Sequence, residues 1–246
     1  SGAGNPGLLF LTLGRFMYLR NLLVIALALL VLEAEARTVN LSGRKIEIAP
    51  PSGYCLLDAS RPAEAEIMRI TAAGMGDGNQ LLDSFADCVE LDQLRGGRRT
   101  KFDNFGQIVV QSLRGKPAFI SGASSREEFI RKIGGMPASS IAETTERTKN
   151  VVAQVNRALS EGSISMKAQE PHWLNSDRNA AYWAILAQVV YPDGQKANLL
   201  GVTGATLVKN MSFSILIYRN FSGPPPIEIL LLRQQAAMAA LVSANQ

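Results

Sequence analysis

From Tyr182 to Tyr218 the chain consists of β-prone runs separated by tight-turn residues, and this stretch restricts the possible folds more than any other. Tyr182–Tyr191 is apolar and rich in β-formers, and Pro192-Asp193-Gly194 turns it into Lys196–Leu200. Thr203–Val208 then meets Met211–Tyr218 across Lys209-Asn210. Two hairpins in succession predict an antiparallel meander. Gly223 and Pro224–Pro226 stop the sheet. Beyond them, Ile227–Ser243 predicts a helix with Leu230, Leu231, Ala237, Met238 and Leu241 available for packing.

The preceding part alternates helix and strand signals. Lys45–Ile48 alternates charged and apolar residues and predicts a short strand ending at Pro50-Pro51. Ser60 is placed to cap a helix, with Pro62 and Glu64 in its first turn, that runs to Gly74, and Met75–Asn79 predicts a turn. Leu81–Leu94 fits both periods: Leu81, Phe85, Cys88 and Val89 make a helical stripe, while Phe85, Val89 and Leu91 share one face of a strand. Strand is the reading preferred. Gly96-Gly97 breaks the chain, and Gln107–Leu113 predicts a strand. Ser125 with Glu128 is a capping-box pair opening a helix that stops at Gly134-Gly135, and Ser140 with Glu143 repeats the device. Ile141, Val151, Val152, Val155 and Leu159 then predict an amphipathic helix up to Gly162, before a strand at Ile164–Ala168. The fold expected is one α+β domain over residues 37–246, its largely antiparallel sheet packed by helices as an α/β/α sandwich. About 210 residues bury a core without a cofactor, and none is implied.

The first 36 residues carry a different message. Arg15 and Arg20 flank Met17, which has the look of a natural start, and no acidic residue precedes Glu33. Leu22–Leu32 is an unbroken run of eleven apolar residues, followed by Ala34-Glu35-Ala36. This basic, apolar, A-x-A order predicts a secretory signal peptide cleaved after Ala36 and a periplasmic or secreted protein. The alternative is an uncleaved N-terminal anchor, although the run falls short of the roughly 20 apolar residues that span a bilayer. Removing residues 1–36 takes two basic and two acidic residues, so the net charge stays at +4. That mild charge, and aromatic residues that do not alternate with basic ones, disfavour nucleic acid as a partner. Cys55 and Cys88 are the only cysteines. In an oxidising compartment they are expected to pair, with two buried thiols as the alternative.

Strand, DG turn, strand, Gly201–Asn210 (GVTGATLVKN) into a strand ending Tyr218-Arg219, and a terminal helix form an order that resembles the exported α/β/α sandwiches of the PsbP superfamily. The resemblance covers Tyr182–Asn245, with an echo at Lys45–Cys88. That superfamily includes the extrinsic protein of the photosystem II oxygen-evolving complex, Ran-binding proteins and bacterial envelope lipoproteins. Its members mostly bind partners, so the resemblance implies a binding or accessory module. It transfers no individual site residue, and this chain departs from it in a longer middle, Ser124–Gly162, and in the cysteine pair.

The residues able to do chemistry are few. His172 is the only histidine, with Asp177 five positions on. Ser176 lies between, but no G-x-S-x-G elbow accompanies them, and a loop histidine beside a packed Trp173 is the plainer reading. Asp83 and Asp87, with Glu90, could group around a divalent cation, or could be the solvated side of an apolar stripe. Gly74, Gly76 and Gly78 lack the Lys-Ser/Thr of a phosphate loop. Arg95, Arg98, Arg99 and Lys101 form the one dense basic segment, which could meet lipid headgroups, cell-wall polymer or an acidic partner, or simply solubilise a loop. Asn40, Asn210 and Asn220 each open an N-x-S sequon.

Three functions are compatible with these residues. The preferred one is an exported, non-enzymatic binding or accessory module acting on an envelope protein or polymer. The second is an exported hydrolase or small-ligand binder centred on His172. The third is a protein tethered by an uncleaved Leu22–Leu32 helix, with Arg98 and Arg99 at lipid headgroups.

Overall fold

A computed structural model describes residues 36–75, 78–123, 125–134, 165–190 and 194–246. The expected leader, most of the Met75–Asn79 turn's centre, the Ser140–Glu143 cap, the Ile141–Gly162 helix, Ile164 and the Tyr191–Asp193 part of the hairpin turn lie outside the described residues. Ala34–Gln246 form one compact unit.

Three two-residue turns set the local geometry. Strand β1 (Arg37–Leu41) returns as β2 (Arg44–Ile48) through Ser42-Gly43, with both φ values positive at 51° and 83°. β5 (Asn104–Leu113) returns as β6 (Lys116–Pro117) through Arg114-Gly115, at 54° and 74°. β10 (Lys196–Val208) returns as β11 (Met211–Phe221) through Lys209-Asn210, at 46° and 64°. Two consecutive positive φ values define the type I′ turn, whose twist matches that of antiparallel strands. The predicted meander is therefore present, with β9 (Ala181–Val190) as its third strand. The two strands expected at Lys196–Leu200 and Thr203–Val208 are one continuous strand, because Gly201 and Val202 keep the ladder to both neighbours.

The remaining elements are β3 (Tyr54–Leu56), α1 (Pro62–Ala73), β4 (Asn79–Asp87), α2 (Cys88–Arg95), α3 (Arg126–Gly134), β7 (Ser165–Ala168), β8 (His172–Ser176) and α4 (Ile227–Ala244). The main sheet runs β3-β4-β5-β11-β10-β9-β7, with β8 also paired to β9, and every pairing is antiparallel. One seam, the β5–β11 ladder from Val110↔Phe213 to Asn104↔Arg219, joins its N-terminal and C-terminal halves.

Alternation along the strands gives the sheet two buried faces. Ile108, Val110, Met211, Phe213, Ile215, Ile217, Leu200 and Val202 point to one face. α4 covers that face with Leu230, Ala237, Met238 and Leu241, and the β1–β2 hairpin adds Leu41, Ile46 and Ile48. Gly204 lets α4 sit this close, since a Cβ there would stand 2.7 Å from both Gln234 Nε2 and Met238 Cγ. On the opposite face, Ala86 and Phe105 meet Leu57, Leu91, Phe102 and α1 residues Ile67 and Met68. Ala181 and Leu207 on that face meet Phe129 and Ile130 of α3. Helices on both sides of a largely antiparallel sheet make the fold α+β, an α/β/α sandwich.

Three local expectations need correction. Leu81–Leu94 is not one strand. β4 ends at Asp87, whose carboxylate accepts hydrogen bonds from Val89 N (3.0 Å) and Glu90 N (3.2 Å) and caps α2. Ser60 does not cap α1. Its hydroxyl donates to Asp58 Oδ1 (2.7 Å), and Arg61 occupies the cap position without a side-chain bond. His172 and Trp173 lie on strand β8 and not in a loop. The capping bond expected at Ser125 is present, its Oγ accepting from Glu128 N at 3.1 Å.

Candidate functional site

Cys55 of β3 and Cys88, the first residue of α2, form a disulfide, with Cα atoms 5.0 Å apart. The bond fastens the start of α2 to the edge of the sheet. The far end of α2 is fastened by Arg95, which donates from Nε to Glu64 Oε1 (2.9 Å) and from Nη2 to Glu64 Oε2 (3.0 Å). Glu64 is buried, and it also accepts from Asp58 N at 2.7 Å. Burial by itself would raise the Glu64 pKa. The Arg95 fork and the Asp58 N–H outweigh it, so the carboxyl is held below its usual range.

The basic segment is built into the fold in the same way. Arg99 pairs with Glu90 (3.1 Å) and with Asp103. Glu90 in turn accepts from Asp103 N (2.7 Å), Asn104 N (3.2 Å) and Asn104 Nδ2 (2.7 Å). Arg95 and Arg99 thus neutralise buried or half-buried glutamates, while Arg98 and Lys101 are exposed. A guanidinium already in a bidentate or networked pair has little left for a headgroup phosphate.

The acidic candidates do not converge. Asp83 points into the core beside Ile108, where Arg37 approaches its Oδ2 at 2.8 Å. Asp87 is the α2 cap and Glu90 the anchor of residues 103–104. Among the described residues no cluster of three or more metal-ligating side chains occurs.

His172 and Asp177 are likewise separated. His172 opens β8 and Asp177 follows its last residue, so the length of the strand stands between them. Asp177 shapes the turn into β9: its Oδ1 accepts from Asn179 N (2.7 Å) and Ala180 N (3.0 Å), and its Oδ2 from the Tyr182 hydroxyl (2.9 Å). Burial and this carboxylate both push the Tyr182 pKa up. His172 is exposed at the edge of the sheet. Trp173 beside it is 41% exposed and packs edge-on against Trp183, ring centroids 5.3 Å apart, and over Gly134 at the end of α3.

A concave site that sequence reasoning missed lies elsewhere. A cavity of about 510 Å³ opens where the start of α3, the β8–β9 turn and the last turn of α4 meet. Arg126, Arg178 and Asn179 line it from two of these elements. Ala239 and Val242 of α4 form its apolar wall. Arg126 Nε donates to the Leu207 carbonyl (3.1 Å), which fixes the side chain and leaves its terminal nitrogens for other acceptors. Nothing local in the sequence signals this site, because its residues come from positions 126, 178–179 and 239–246.

The chain is thus a three-layer α+β protein with a disulfide-linked edge and a basic cavity at one end of its sheet. No protein-family model and no curated protein matches it. Among solved structures, cyanobacterial PsbP (CyanoP) from Synechocystis sp. PCC 6803 aligns over 86% of this chain and 91% of its own, at 12% identity and a TM-score of 0.34. The Saccharomyces cerevisiae Ran-binding protein Mog1p aligns over 87% of this chain and 93% of its own, at 12% identity and a TM-score of 0.30. At these TM-scores neither alignment carries an argument about this chain.

Proposed function

We propose that the chain is an exported, non-enzymatic binding or accessory module of the cell envelope, with its leader removed after Ala36. The observation that carries this reading is the use made of its ionisable groups. Glu64, Asp87, Glu90 and Asp177 each hold backbone N–H groups or arginines in place, and Asp83 is enclosed against Arg37. General acid–base catalysis needs a proton or lone pair directed at a substrate. These carboxylates direct theirs at the fold. The Cys55–Cys88 bond supports export, since such bonds persist in oxidising compartments. On the outward side of α4, Ile229 (56% exposed), Leu232 (68% exposed), Ala236 and Ala240 form an apolar stripe, which supports a protein partner.

The test has two parts. Alkylation of intact cells and of fractions should find the protein outside the cytosol with both thiols blocked by the disulfide. Crosslinking from envelope extract should capture a partner that Leu232→Glu loses and His172→Ala keeps. Loss of cellular function in His172→Ala at unchanged melting temperature would overturn the non-enzymatic reading.

A further inference from the structure

We infer that the cavity between α3, the β8–β9 turn and the end of α4 is a binding site for a phosphate dianion, free or as the phosphate of a small ester. Arg126 and Arg178 both line it, and among the described residues no acidic side chain does. This differs from the basic segment, where Arg95 and Arg99 are matched by Glu64, Glu90 and Asp103. Arg178 is exposed, and among the described residues it has no hydrogen bond or ion pair. The nearest acidic side chain in sequence, Asp177, is directed away into its own turn and to Tyr182. Glu128, two residues from Arg126, is paired with Lys132 at 2.9 Å.

The chemistry of the lining matches the ligand. Arginine presents its donors as a planar fork that suits the oxygens of phosphate, and two such forks balance a dianion better than a carboxylate. The last turn of α4 carries no basic residue of its own, and the partial negative charge there, about half an elementary charge, is smaller than the two full charges of Arg126 and Arg178. Ser243 and Asn179, which also line it, are neutral residues with donor groups. A volume of about 510 Å³ exceeds what one phosphate fills, and the Ala239–Val242 wall offers an apolar surface to an attached group. The inference is independent of the compartment in which the protein works.

Amide NMR titration of the whole chain at constant ionic strength tests it, with inorganic phosphate and glycerol 3-phosphate as separate probes and acetate and chloride as controls. Saturable shifts at Arg178, Asn179 and Ser243 are expected with at least one phosphate probe, and the tighter of the two identifies free or esterified phosphate as the source. Arg178→Ala should weaken that binding roughly tenfold or more without changing the melting temperature. Arg126→Ala should do the same, and because Arg126 also holds the Leu207 carbonyl, the Arg178 variant is the decisive one. Shifts that do not saturate, that acetate reproduces with equal affinity, or that persist in Arg178→Ala would overturn the assignment.

Discussion

The guanidinium of Arg37 lies 2.8 Å from the carboxylate of Asp83, joining the first residue of β1 to a side chain fully enclosed in the core. Asp83 Oδ2 receives no hydrogen bond, and Oδ1 accepts only from Ser84 N at 3.0 Å among the described residues. Burial raises the Asp83 pKa, and Arg37 and the Ser84 N–H offset part of that rise. A carboxyl with a folded pKa above its unfolded value of 3.8 subtracts stability at neutral pH, and the deficit shrinks as pH falls through the folded value. Arg37→Ala should therefore cost about 2–4 kcal/mol at pH 7, reduced from the usual cost of breaking a buried pair because the Arg37 side chain is 48% exposed. Asp83→Asn should change stability by only about 1 kcal/mol. Urea unfolding of both variants checks the asymmetry, and equal losses would contradict it.

The Glu64–Arg95 pair should show the opposite pH dependence. Burial raises the Glu64 pKa, but the Arg95 bonds and the Asp58 N–H bring the net value below 4.5. Its stabilising contribution is present above that value and is lost as pH falls below it. Glu64→Gln should cost about 1–3 kcal/mol at pH 7 and flatten the acid limb of a plot of urea midpoint against pH.

Loss of the disulfide should be felt globally. The chain-entropy relation for a 33-residue separation gives about 3–4 kcal/mol. Replacing both cysteines by serine should lower stability by that amount, and dithiothreitol should reproduce the loss in the wild type. An unchanged urea midpoint after reduction would mean that the edge of the sheet is held by its other contacts.

Gly106 occupies a place no other residue fits. A Cβ there would stand 2.2 Å from the Leu216 carbonyl oxygen and 2.4 Å from the Phe85 ring. Gly106→Ala should cost about 3 kcal/mol or leave the chain unfolded, because the nearest obstacle is backbone. Gly122→Ala, with open space around it, should stay within about 0.5 kcal/mol. Thermal melts of the two variants give the comparison.

His172→Ala should leave the melting temperature unchanged, since the side chain is exposed and stability effects at such surface positions are about 0.5 kcal/mol or less. On the proposed function it should also leave partner binding intact, which the crosslinking assay reads directly.

The parts of this fold that the sequence revealed are those encoded by neighbouring residues. Lys209-Asn210 and the runs on either side of it specify a hairpin without help from elsewhere, and the Pro-rich stop before Ile227 marks α4. β3 and β8 were missed because each depends on a partner: Tyr54–Leu56 is a strand only because β4 lies beside it, and His172–Ser176 because β9 does. At Leu81–Leu94 the apolar residues fit two periods, and what decided the matter was Asp87 with Glu90 three residues on, a helix-start signal inside the ambiguous stretch. The basic segment was legible as charge but not as pairing, because Glu64 lies 31 positions from Arg95. The Arg126–Arg178 cavity was illegible for the same reason on a larger scale.

The β5–β11 seam also bears on how the molecule assembles. Val110 and Phe213 are neighbours in the sheet, yet 103 positions of chain separate them, whereas the β9–β10–β11 hairpins close over short local loops. Ladders with short loops zip early and distant ones wait on a slow search. Refolding followed by stopped-flow should therefore show the C-terminal meander gaining amide protection first, with the rate limit set when β5 arrives at the free side of β11.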